Sequence, residues 1–146
     1  QFLHRPMSSV RYFSEGISFK VPNPRKTSSW IKSVIQVNKA KLKEVSFIFC
    51  SDSYLLQMNQ SFLNHNTLTD IITFDYSKSR NALEGEIYIS VERVLENAEK
   101  FEVSFEQEIK RVMIHGILHL LGFKDKKVKE KAQMRKKEEA CLSLFK

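Results

Sequence analysis

Apolar and polar residues alternate along this chain with two different periods, and the switches between them mark its elements. Val10 to Phe13 reads as a strand, after which Pro22, Asn23 and Pro24 interrupt regular structure. Ser28 or Ser29 is placed to cap a helix whose Trp30, Ile31, Val34 and Ile35 share one side. Val45 to Cys50 is a run of strand-favouring residues, and Asp52 or Ser53 is placed to cap a helix carrying Leu55, Leu56 and Met58 toward Phe62. A polar turn around Asn64 to Asn66 precedes Thr69-Asp70 and a strand from Ile71 to Tyr76. Beyond an irregular stretch, Ser77 to Glu84, Gly85 opens a strand whose alternation separates Ile87 and Ile89 from Glu86 and Tyr88. Helices are then predicted from about Val91 to Phe101, from an N-capping Ser104 to Leu121, and from about Val128 to Leu144. Glu106 and Glu108 favour the first turn of the second of these. The order β-α-β-α-β-β-α-α-α predicts an α/β (α+β) single domain, a small mixed sheet of about four strands packed with about five helices. Strand order is not readable from the pattern.

Composition narrows the class. The 146 residues suffice for one domain with a core, and 42% apolar with 28% charged residues excludes a disordered chain. No apolar run approaches the roughly 20 residues that span a bilayer, and no leader pattern opens the chain, so a cytoplasmic protein without a membrane partner is expected. Residues 1–6 fit poorly with the rest of the chain and read as a vector-derived remnant, with Met7 as the natural start of a domain over 7–146. Cys50 and Cys141, far apart, exclude a disulfide framework or a cysteine-based zinc finger and read as buried or semi-buried thiols. A net charge of +7 favours polyanionic partners without identifying one.

The chemistry concentrates in one segment. His115 and His119 stand four apart on a helix, so both imidazoles project from one face, as two nitrogen ligands of one zinc ion do. Gly122 accepts the left-handed conformation that ends a helix, and Asp125 is the first competent ligand after the turn. Three protein ligands leave a fourth position for water, which marks a catalytic site. An isolated pair of histidines at this spacing is common by chance. Here a glycine and a carboxylate follow at useful spacings, and two neutral imidazoles buried without partners would be unfavourable. Zinc peptidases of the H-E-x-x-H type carry their general base beside the first histidine, where this chain has Gly116. The site retains the capacity to acidify water and polarise a substrate oxygen, and phosphodiester cleavage suits it.

The segment His115-Gly-Ile-Leu-His119-Leu-Leu-Gly122-Phe-Lys-Asp125 resembles the H-G-x-L-H-L-x-G-Y-D-H signature of the YbeY family, bacterial endoribonucleases that mature ribosomal RNA. Thr69-Asp70-Ile71-Ile72-Thr73-Phe74 is similar to that family's T-D-V-L-S-F, and Gly85 to Ser90 to its G-D-I-x-I-S, in the same order and spacing. The resemblance covers about Leu55 to Glu139. It implies one α/β domain, one zinc ion per chain, a cytoplasmic location, RNA and the ribosomal small subunit as partners, and processing of the 3′ end of 16S rRNA by single-strand-directed cleavage. It implies metal ligands at His115 and His119. The family's third histidine falls on Asp125 and the preceding aspartate on Lys124. A carboxylate there adds negative charge, leaves water less acidified, and suits harder ions such as manganese as well. Where the family often has Tyr-Arg this chain has Phe62-Leu63, so a phosphate-gripping arginine is absent. Arg111, one turn before His115, is either its substitute or a solvent-facing helix residue.

Asp70 either accepts a proton from a ligand imidazole or caps a local turn. His65 and His4 read as solvated, and Met134 reads as core rather than as a floor beneath the metal. From Lys124 to Lys137 eight Lys or Arg residues face only Asp125 and Glu130, so Lys127, Lys129 and Lys131 are candidates for contacting RNA phosphates. Two rival readings are a metallopeptidase, disfavoured by Gly116, and a non-catalytic assembly factor with a structural metal, raised by Leu63 and Asp125.

Overall fold

A computed structural model describes residues 8–63 and 69–146, without the side chains of Phe62 and Leu63. His4, Met7, His65 and the turn at 64–66 lie outside the described residues. The described chain forms β1 (Ser9–Glu15), α1 (Pro24–Val37), β2 (Leu42–Cys50), α2 (Asp52–Leu63), β3 (Ile71–Asp75), β4 (Leu83–Ser90), α3 (Val91–Lys100), α4 (Phe105–Leu120) and α5 (Val128–Ser143). The expected four-stranded mixed sheet and five helices are present.

The strands lie in the order β1-β2-β4-β3. β1, β2 and β4 run parallel, and β3 closes the sheet as an antiparallel edge strand with Ile71 opposite Ile89. Period-two alternation divides the side chains. Phe47 and Phe49 of β2 and Ile87 and Ile89 of β4 enter the main core, which α1 and α4 cover with Trp30, Ile31, Ile114 and Ile117. The opposite face carries a smaller cluster of Cys50, Leu55 and Ile72, roofed by α2. Gly116 is where α4 approaches the sheet: a Cβ there would stand 2.8 Å from Ile87 and 3.1 Å from Ile71.

Several boundaries differ from the sequence reading. Asn23, in a left-handed conformation, precedes a helix that already includes Pro24, so Ser28 and Ser29 lie inside α1 rather than capping it. Proline suits the first turn because its missing N–H has no partner there anyway. Ser51, not Asp52 or Ser53, caps α2: its Oγ accepts from the Tyr54 N–H. β4 begins two residues before Gly85, at Leu83, where Leu83 and Lys41 continue the backbone pairing. Ser104 caps α4 as expected, accepting from the Gln107 N–H. Both cysteines are free and buried, and burial, with Asp52 and Glu15 adding, pushes the Cys50 thiol up to about 12. Met134 is a core residue. Among the described residues no helix is long and apolar enough to cross a membrane.

Candidate metal centre

α4 carries its two histidines toward the same side, and their rings meet edge to face with centroids 4.6 Å apart. The helix then ends on a Schellman turn. Gly122 N–H donates to the His119 carbonyl and Phe123 N–H to the Leu118 carbonyl, with Gly122 at φ 101°. That reversal returns the chain along the helix and places Asp125 beside both rings.

The three donor atoms converge. His115 Nε2 lies 3.0 Å from His119 Nε2 and 3.1 Å from Asp125 Oδ2, and His119 Nε2 lies 3.4 Å from the same oxygen. Donors around a tetrahedral ion, each about 2.0–2.1 Å from it, stand about 3.3 Å apart. Two imidazole lone pairs facing each other at 3.0 Å repel unless a proton or a cation lies between them. Burial and the neighbouring His115 hold the His119 pKa below the ordinary histidine value, against the pull of Asp125 and the Phe123 carbonyl, and so favour the neutral ligand form. Two nitrogens and one oxygen at these separations fit one divalent ion with room for a further ligand.

Behind His115 stands a residue the sequence reading missed. Glu138, on α5 and only 3% exposed, places Oε2 2.5 Å from His115 Nδ1. Its other oxygen accepts from Arg111 Nη1 at 3.0 Å. Arg111 in turn grips buried Glu108 with two bonds, Nε to Oε1 at 2.9 Å and Nη2 to Oε2 at 2.5 Å. Asp125, Glu138 and Glu108 together carry three negative charges against one positive charge on Arg111. With both imidazoles neutral, a divalent ion would bring the group to neutrality. Glu138 sits in the described helix with the most Lys and Arg residues, where a glutamate reads as ordinary solvated patterning; only its spacing to Met134 and Cys141 on the buried side marked it.

The remaining candidates lie around this centre. A cleft of about 750 Å³ opens on it, lined among others by Asp70, Thr73, Arg111, His115 and Lys126. Arg111 therefore reaches the cleft, with three of its five N–H donors committed to carboxylates. Asp70 is bonded by Asn97 Nδ2 at 3.4 Å rather than by an imidazole. Burial raises the Asp70 pKa above the ordinary aspartate value, with Arg111 and His115 opposing. Thr69, not Asp70, closes the local turn onto Ile71. Lys127, Lys129 and Lys131 are all exposed on or beside the first turn of α5, just beyond Asp125.

Fold and centre together define an α/β protein in which α4 and the turn after it bring together three residues able to hold a metal ion at the mouth of a cleft. The family model for endoribonuclease YbeY matches residues 15–146. Similar proteins include the endoribonuclease YbeY of Amoebophilus asiaticus, 50% identical over 91% of this chain and 90% of that one, and that of Flavobacterium psychrophilum, 49% identical over 91% and 94%. The solution structure of TM1509 from Thermotoga maritima superimposes with a TM-score of 0.65 at 28% identity, covering 94% of this chain and 89% of that one. This chain belongs to the endoribonuclease YbeY family.

Proposed function

We propose that this protein is a zinc-dependent, single-strand-directed endoribonuclease that matures the 3′ end of 16S rRNA on the small ribosomal subunit in the cytoplasm. The observation that carries the reading is the convergence of His115, His119 and Asp125 at the mouth of an open cleft. When bound there, zinc supplies Lewis acidity that acidifies water and polarises a phosphoryl oxygen. The protein supplies the rest. The open cleft suits an unpaired strand beside the ligands; Lys126 lines it, and Lys127, Lys129 and Lys131 are exposed in the stretch of chain that follows. Asp70, whose pKa burial raises above the ordinary aspartate value, lines the same cleft.

A peptidase reading finds no support at Gly116, which is pressed against Ile87 with no space for the glutamate that such enzymes use as base. The deciding experiment incubates the zinc-loaded protein with labelled rRNA precursor and, separately, with casein. RNA cleavage lost on chelation and in His119→Ala is the expected result. Proteolysis would reverse the assignment, and tight RNA binding without turnover would reduce the protein to an assembly factor with a structural metal.

A further inference from the structure

The two ring nitrogens of His115 look in opposite directions. Nε2 faces His119 and Asp125, whereas Nδ1 faces Glu138 across 2.5 Å. We propose that Glu138 is the positioning residue of this centre: by accepting the Nδ1–H of His115 it fixes the tautomer that offers the Nε2 lone pair, and thereby sets affinity for the divalent ion. The proposal rests on the reading of His115, His119 and Asp125 as a metal site.

Three observations carry it. First, Glu138 can only accept. Its other oxygen is paired with the Arg111 guanidinium at 3.0 Å, and a positive charge at that distance favours the carboxylate form. A carboxylate has no proton to donate, so the Nδ1 it meets must carry the hydrogen. Second, Glu138 cannot turn away. One oxygen serves His115 and the other serves Arg111, which is itself clamped by Glu108, so rotating the carboxylate breaks a charged bond inside the protein. Third, the two imidazoles are treated unequally. Among the described residues no carboxylate stands behind the His119 ring, while His115 has the Glu138 carboxylate 2.5 Å behind it. A charged acceptor raises ligand basicity, so His115 is the stronger donor of the pair.

The plainer role for Glu138 is to dock α5 on α4 through Arg111. The two roles separate in Glu138→Gln, which keeps the volume but has only one acceptor oxygen for two donors. Zn²⁺ affinity of the full chain, measured by competition with a chromophoric chelator, is expected to fall about 10- to 100-fold in this variant. Long-range ¹⁵N–¹H spectra of the metal-free proteins are expected to show His115 as the Nδ1–H tautomer in the wild type and as a tautomer mixture in the variant. Equal Zn²⁺ affinity in the two proteins overturns the proposal whatever happens to the melting temperature, and leaves the metal site standing. Wild-type protein that binds no Zn²⁺ overturns both. If Glu138→Gln does not fold, the wild-type spectrum still decides, because a dominant Nε2–H tautomer at His115 is incompatible with the role proposed.

Discussion

Asp125 meets both imidazoles through a single oxygen, Oδ2, at 3.1 and 3.4 Å, and its side chain is one-third exposed. A side chain in that position can ligate without being held by the core, so its removal should empty the site and leave the fold intact. Asp125→Ala is expected to lower bound metal at least several-fold with an unchanged melting temperature for the metal-free protein, measured by elemental analysis and thermal melts. Near-stoichiometric metal in the variant would exclude Asp125 as a ligand. Asp70 makes the opposite trade. Its folded pKa is raised from 3.8 by burial, so below that value it is protonated in both folded and unfolded chains and contributes nothing. Above it the unfolded chain ionises first, and stability falls with rising pH until the folded carboxyl ionises too. Asp70→Asn should therefore raise the melting temperature of the metal-free protein at pH 7 and leave it unchanged at pH 3; equal melting at both pH values would count against a strained carboxylate. The convergence of the two histidines was legible in the sequence because both lie on one helix, where spacing alone fixes direction. Glu138 was not, because its approach to His115 depends on how α5 docks, and no periodicity within α5 encodes that.

At the scale of elements, three helices end in the same way on different residues. α1, α3 and α4 are followed by Lys39 at φ 58°, Glu102 at φ 56° and Gly122 at φ 101°. After α3, Glu102 N–H donates to Glu99 and Val103 N–H to Ala98, the pattern seen after α4. Only glycine adopts this conformation without a steric penalty. Glu102→Gly is expected to stabilise the protein by about 0.5–1 kcal/mol, once the looser unfolded chain is allowed for, in denaturant titrations. A loss of stability would mean that the Glu102 side chain contributes something its contacts do not reveal. The pattern of apolar residues found every element because each buries one face, but it misplaced some of their starts. Pro24 looked like a breaker and opens a helix. Leu83 looked like part of an irregular stretch and begins β4. Strand order was beyond reach, since placing β4 between β2 and β3 depends on pairing between distant segments.

Charge acts on the whole molecule. The excess of seven positive charges is spread along the chain, yet α5 and the turn before it concentrate lysines beside the cleft. Lys127, Lys129 and Lys131 are exposed and make no ion pair among the described residues. Replacing all three by glutamine should weaken binding of single-stranded RNA and flatten the plot of log affinity against log salt by about 2, at roughly 0.7 for each phosphate no longer neutralised. An unchanged slope would remove this face from the RNA path.

The path of the chain through the centre has a consequence of its own. Every described group that would hold or brace the ion comes from residues between 108 and 138, and none of these lies in the sheet. A bound ion would tie α4 to the turn that follows it, and its binding energy would count as folding energy for that segment, about 2.7 kcal/mol at a hundred times the dissociation constant. Scarcity of the ion would then do more than idle the protein. It would loosen the turn after α4, lengthen the time that segment spends open to proteases, and couple the protein's lifetime to the metal supply.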